Sequence, residues 1–480
     1  MNILKVFVKR IWSSDMIMTM FSFFVRTGNL IFLLPLLLRC LDESELSVYY
    51  LFQIIFGFTT ILIHEFGLNF VRTLSFVQGG AKQDDLHDLR NLSAVSSKDE
   101  IAQLSNRVVG TIHRTGIYAA FLIFLALLFF GTISLIRPIS MLDDALAGWM
   151  AWLFFAIVAA TKVFGATYGY YLQGLNEVAL FRRWEGFILL ASLLCSVVAL
   201  LLGGGLLALI IAQQFVFFIG IFIRRNLAIK SLRREGLAYN KPIFCNDIFK
   251  MVCAKTWRTA AGVIMHSGLY RMTGIYYAQI ESAEKMASYL LMIKLMNVTV
   301  DFSKAPFYSK IPRLSKKAVG NFKDAISVAQ RGMCMSLLVF VSGICFFGLF
   351  GETLLALIGS NTKFISVEFW SILGLGYFVE RYAAMHLNIY TLSNHIIWHR
   401  LYFISGIIYI ISMLALNEQY GFFAFPIALL FSELIFSSWY SALRSYKLLK
   451  VRWVSFEKVA SLPAFLIMCG YLLYVFLKTI

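Results

Sequence analysis

Charge is scarce in this chain. Asp, Glu, Lys and Arg make up 14% of its 480 residues, and the acids are outnumbered 26 to 43. With 59% hydrophobic residues, 45 Phe and a mean hydropathy of +0.75, it lies outside the range of soluble globular proteins. Proline is also rare, at 7, so long helices can run with few breaks. Ten-residue segments of alternating polarity are missing, which argues against an outer-membrane barrel. The seven cysteines, at 40, 195, 245, 253, 334, 345 and 469, contain no C-x-x-C and fall mostly inside apolar runs. They imply neither a disulfide framework nor a metal site. No D-x-D, metal-ligand cluster or nucleophile motif stands on a basic loop, and the loops between basic segments are short; both points weigh against a glycosyltransferase or polysaccharide polymerase. A basic start, with Lys5, Lys9 and Arg10, precedes a first apolar run too long for a signal peptide and without a small-residue cleavage site. It reads as a retained first span.

What is present is a series of apolar runs long enough to cross a bilayer, about 20 residues at 1.5 Å each. Reading in order, spans are expected near 16–38, 46–70, 109–135, 148–172, 185–202, 206–223, 259–280, 284–304, 327–350, 364–392, 401–416, 420–443 and 459–477. Gly203-Gly204-Gly205 makes a tight hairpin, and residues 71–108 should hold a surface helix. The fold class is therefore an all-α polytopic membrane protein of about 12–13 spans. A composition shift at 224–258, rich in Lys and Arg, marks a linker between an N-terminal six-helix bundle (1–223) and a C-terminal one (259–443). Residues 444–480 add a basic segment and an extra apolar helix. A faint repeat supports two halves: Glu45-Leu46-Ser47-Val48-Tyr49-Tyr50-Leu51 is matched by Glu284-Lys285-Met286-Ala287-Ser288-Tyr289-Leu290, each after a span with a central arginine.

Assigning alternate loops to the cytoplasm places about 30 Lys and Arg inside and about five outside, so the N-terminus is expected in the cytoplasm. The net charge of +17 then reflects topology, with anionic membrane lipid as a further contact, and calls for no nucleic-acid partner. Trp12, Trp149, Trp152, Trp257 and Trp453 suit interfacial anchors.

Several spans carry charge where hydrocarbon is expected. Arg26 sits in the middle of the first, and Lys162, Arg271, Lys294 and Arg381 lie at similar depth. Five uncompensated cations would cost on the order of 12–17 kcal/mol on the insertion scale, so they must face protein or water. Glu380 and Glu433 are the central acids, with Glu65 and Asp301 nearer the ends. Each alone suits a structural ion pair as well as a function. As a set, the surplus of cations suits an anionic ligand, and the arginine fork fits phosphate. The acids are candidates for coupling to a proton or sodium ion; no other cofactor is implied. The stripe Gln53, Gly57, Thr60 and His64 on span 2 fits a cavity wall or a polar helix contact. His64 and His266 have no ligand spacing.

The run Arg26-Thr27-Gly28-Asn29-Leu30, with Pro35-Leu36-Leu37-Leu38-Arg39, then Tyr49-Tyr50-Leu51-Phe52 and Phe66-Gly67-Leu68-Asn69-Phe70-Val71-Arg72-Thr73, resembles the polysaccharide repeat-unit flippases of Wzx type. So do Gln173-Gly174-Leu175-Asn176 and the pattern of Arg271 followed by 306–317. That family belongs to the multidrug/oligosaccharidyl-lipid/polysaccharide (MOP) exporter superfamily. The resemblance implies two six-helix bundles forming a MATE-like V and alternating access driven by a cation gradient. It also implies an undecaprenyl-pyrophosphate-linked oligosaccharide moved across a bacterial inner membrane for O-antigen and lipopolysaccharide biosynthesis, in company with a polysaccharide polymerase and a chain-length regulator. Arg26, Lys162, Arg271, Lys294 and Arg381 would then contact the headgroup. A multidrug antiporter, which should show acids in its cavity, and a lipid II flippase, with more spans than these, are the nearest alternatives.

Overall fold

Long apolar runs with few prolines leave each peptide group one economical partner, its own helix, and helix is what the chain forms. The computed structural model describes residues 12, 14–83, 97–237, 243–308, 310, 314, 322–391 and 397–479, and no strand occurs among them. The helices are α1 (Asp15–Cys40), α2 (Glu43–Gln78), α3 (Lys98–Ala126), α4 (Thr132–Ser140), α5 (Ala145–Gly174), α6 (Val178–Leu201) and α7 (Gly205–Arg234). After them come α8 (Asn246–Val263), α9 (Leu269–Tyr277), α10 (Ala283–Tyr308), α11 (Phe322–Ile358), α12 (Val367–Tyr390), α13 (Trp398–Tyr420), α14 (Ala424–Ser432), α15 (Ser438–Leu449), α16 (Trp453–Ala460) and α17 (Leu462–Thr479). Wide, π-helical turns at Leu127–Gly131, Ile264–Gly268 and Glu433–Ser437 join α3 to α4, α8 to α9 and α14 to α15.

Among the described residues, six stretches are long and apolar enough to cross a membrane: Lys98–Ser140, Ala145–Gly174, Val178–Leu201, Gly205–Arg234, Ile326–Ile358 and Trp398–Leu449. The last contains a hairpin, because α13 and α14 pack on each other about a turn at Gly421, whose φ of +50° suits glycine. The pair α16 and α17 bends by 62°. Helices also outrun their apolar segments. At 36 residues α2 is about 54 Å long, well past the hydrocarbon, since its polar continuation contains nothing that breaks a helix. The surface helix expected within 71–108 is in part the end of α2 and the start of α3; residues 84–96 lie outside the described residues. Likewise, within 224–258, residues up to Arg234 complete α7 and those from Asn246 form α8.

Helix starts are capped as their sequences suggest. Asp42 accepts from the Glu45 amide at 2.7 Å. Ser97 and Glu100 form a reciprocal capping box that satisfies two free amides at the start of α3. The Glu45 carboxylate reaches across to the Leu206 amide at 2.8 Å, placing negative charge at the start of α7. Gly203 and Gly205, at φ +72° and +59°, make the hairpin that allows this approach.

The chain divides into two compact units, Met1–Ala260 and Ala261–Ile480. In the first, α1 packs on α6, α5 on α3 and α7, and α6 on α7. Phe70, Leu74, Tyr168, Tyr171, Leu232 and Val252 bring α2, α5, α7 and α8 into one buried cluster. Gly110 of α3 sits against the main chain of Ile243, where an added Cβ would come within 2.4 Å of backbone atoms that cannot rotate away. Gly110→Ala is therefore expected to destabilise the unit by about 1–3 kcal/mol, read as a lower melting temperature of the detergent-purified protein.

In the second unit, α10 packs on α11, and α12 on α11, α14 and α15. Trp370, fully buried, donates to the Ile344 carbonyl at 2.9 Å. His386 of α12 bridges Ser445 (2.5 Å) and Glu457 (3.1 Å), and Tyr446 donates to Glu457 at 2.6 Å, tying α16 to α12 and α15.

Candidate functional site

Arg26 lies on α1, the helix that packs most closely on α6. Early in α6, Glu185 meets it: Arg26 Nη2 donates to Glu185 Oε1 at 3.1 Å. The other carboxylate oxygen, Oε2, accepts from Ser22 at 2.7 Å and Arg182 at 2.8 Å. The Glu185 side chain is 18% exposed, that of Arg26 55%. Arg224 of α7 is within electrostatic reach of Glu185, and Lys162 of α5 within reach of Arg224. Arg224 donates Nε to the Gly220 carbonyl at 3.3 Å. The Lys162 ammonium lies over the rings of Phe56 (4.4 Å) and Phe217 (4.1 Å) and meets no carboxylate among the described residues. Arg26 and Arg182 thus meet Glu185 directly, Arg224 lies within its electrostatic reach, and Lys162 lies within reach of Arg224. This is a positive wall able to hold an anion.

The C-terminal unit is balanced differently. Arg381 is 2% exposed, and its Nε and Nη2 have no hydrogen-bond partner among the described residues; Tyr308 lies 5.5 Å from the guanidinium. Glu380 (9% exposed) and Glu433 (1%) are buried, and both act electrostatically on the Tyr402 hydroxyl together with Arg381. Arg271 and Glu380 both act on Tyr377. Glu433 opens the wide turn Glu433–Ser437, a kind of helix irregularity that recurs at functional sites. Here two acids stand among Arg271 and Arg381. Lys294 is within reach of Asp301, but Asp301 itself pairs with Lys304 at 2.6 Å and is 71% exposed. The side chains of Glu65 and His266 lie outside the described residues.

The five cations expected from the sequence are therefore divided between the two units, Arg26 and Lys162 in the first and Arg271, Lys294 and Arg381 in the second. Three partners escaped the sequence reading. Glu185 looked like the first residue of a span, Arg182 like part of a basic turn, and Arg224 like the start of a linker. Their signal was helical spacing, Arg182 and Glu185 being three residues apart on one face.

An all-helical polytopic membrane protein with the MOP/MATE-like fold is the class defined by these helices. Among solved structures, the chain is similar to the lipid II flippase MurJ in an inward closed conformation (13% identity, TM-score 0.66, covering 96% of this chain and 92% of that one). It is similar also to an inward-facing MATE-family multidrug resistance transporter of the MOP superfamily (10% identity, TM-score 0.65, covering 87% and 94%). A third is the MATE multidrug transporter DinF-BH (14% identity, TM-score 0.57, covering 92% and 97%). No protein-family profile and no curated protein matches the chain.

Proposed function

We propose that this protein is a flippase that carries undecaprenyl-pyrophosphate-linked oligosaccharide repeat units from the cytoplasmic to the outer leaflet of a bacterial inner membrane, by alternating access, for surface polysaccharide assembly. The observation that carries this reading is the excess of cations over acids among the described residues here: Arg26, Arg182 and Arg224 about Glu185, with Lys162 within reach of Arg224. A pyrophosphate headgroup matches that charge and the arginine forks, while the polyprenyl tail stays in the bilayer. Arg271, Lys294 and Arg381 are the further candidates for headgroup contacts. The similarity to a lipid II flippase supports a lipid-linked substrate. Glu380 and Glu433, being buried, are better placed than the exposed Asp301 to couple transport to a proton or sodium ion. A polymerase and a chain-length regulator would receive the exported units.

The same two buried acids favour a second reading, export of an organic cation, in keeping with the multidrug transporters of this fold. One experiment separates the two. Protein reconstituted in liposomes should bring a lipid-diphosphate oligosaccharide from the inner leaflet within reach of an external lectin, and should leave efflux of a cationic dye at the level of empty liposomes. Dye efflux without lipid movement would overturn the flippase reading.

A further inference from the structure

A positively charged hollow that does not include Glu185 lies at the end of the N-terminal unit where the basic turns emerge. It has a volume of about 650 Å³, inside the range of about 300–1,000 Å³ usual for small-molecule sites. Its walls are the α5–α6 turn, the first turns of α6 and the last turns of α7, with Trp12 at one side. The turn is tight because Asn176 adopts the left-handed conformation (φ +63°) that asparagine tolerates, letting the Glu177 amide close on the Leu172 carbonyl at 2.8 Å.

Three cations line the hollow against one acid. Arg183 stacks on Trp12, its guanidinium 5.1 Å from the ring, and donates to the Trp12 carbonyl at 3.5 Å. Arg234 is 3.8 Å from Glu177, a loose pair with the arginine side chain 72% exposed. Lys230 lines the hollow with no ion-pair partner among the described residues. The fourth group is the informative one. Ser231 is 3% exposed, lines the same hollow, and its hydroxyl has no hydrogen-bond partner among the described residues. A buried hydroxyl left unsatisfied is costly, so a ligand that accepts its hydrogen bond is favoured. Membrane topology asks for cations at this end; it does not ask for a half-open hollow with a buried serine in its wall.

We propose that this hollow binds the phosphate headgroup of a lipid at the cytoplasmic surface. Lys230, Arg234 and Arg183 would neutralise the phosphate, the Ser231 hydroxyl would donate to it, and Trp12 sets the depth at the level of headgroups. Two kinds of lipid carry this chemistry, a bulk anionic phospholipid and a diphosphate-linked lipid. Binding at the hollow is measured without transport, and so stands apart from the flippase reading.

The test is calorimetric titration of inorganic pyrophosphate into the full-length protein in phosphatidylcholine nanodiscs. The paired change Lys230→Gln with Arg234→Gln alters exposed side chains and leaves helix packing intact. It should weaken this binding about tenfold or remove one binding equivalent, and Ser231→Ala should weaken it about threefold. Titrations of the paired variant that match the wild type would overturn the proposal while leaving the flippase reading standing. Repeating the wild-type titration in discs that also contain phosphatidylglycerol identifies the source. Suppressed pyrophosphate binding assigns the hollow to bulk anionic phospholipid, and unchanged binding assigns it to the diphosphate lipid.

Discussion

Glu185→Ala is expected to lower the stability of the N-terminal unit by about 2–3 kcal/mol. Removing one member of a fully buried ion pair costs about 3–5 kcal/mol, since the other charge is left without compensation. Glu185 is 18% exposed and serves Arg26, 55% exposed, and Arg182, 24% exposed, so solvent recovers part of that loss. The Ser22 hydroxyl loses its 2.7 Å acceptor as well. The measurement is the melting temperature of the detergent-purified protein. Glu185→Gln, which keeps an acceptor for Ser22 but no charge, should fall between wild type and alanine. Equal melting temperatures for all three would mean that Arg26 and Arg182 draw their compensation from elsewhere. Restoring neutrality by adding Arg26→Gln to Glu185→Gln should recover part of the stability and none of the transport.

The larger effect is expected at Arg381. Alanine there would remove the buried cation that acts on Tyr402 together with Glu380 and Glu433, 9% and 1% exposed. The cavity left by this long, buried side chain alone costs about 2–5 kcal/mol, enough to keep the protein from accumulating in the membrane. Arg381→Lys separates structure from function. It keeps the charge and should keep the abundance seen by immunoblot. It lacks the planar fork whose Nε and Nη2 stand free of partners among the described residues, so surface polysaccharide should drop about tenfold or more. Normal polysaccharide in the lysine variant would make Arg381 a counter-ion to the two acids and nothing more.

How much of this was legible beforehand differs residue by residue. Arg26 announced itself, because a guanidinium in the middle of an apolar run must face protein or water. Glu185 did not. An acid at the edge of an apolar run looks like a boundary marker, and its partner Arg26 is 159 residues away in the chain. The same holds for Arg224, read as linker, which α7 carries on the helix before its basic end. The balance of charge was also hidden. Counted along the chain, cations outnumber central acids throughout. Sorted by neighbours, the surplus lies about Glu185, while Arg271 and Arg381 stand among Glu380 and Glu433. Asp301, attractive by its position on a span, is drawn to Lys304 three residues on and lies in the open.

The sequence by itself determined that this is a helical membrane protein and roughly where its helices run. Backbone groups in hydrocarbon have no partner but their own helix, and hydropathy therefore reads out the fold class directly. It also determined that buried cations need company. Which company, only the tertiary structure decided, because helix–helix packing brings together residues whose separation in the chain carries no record of it. Glu185, an acid at the edge of an apolar run, pairs with Arg26, and Ser231, one of many serines, has a hydroxyl without a partner among the described residues in the wall of a basic hollow.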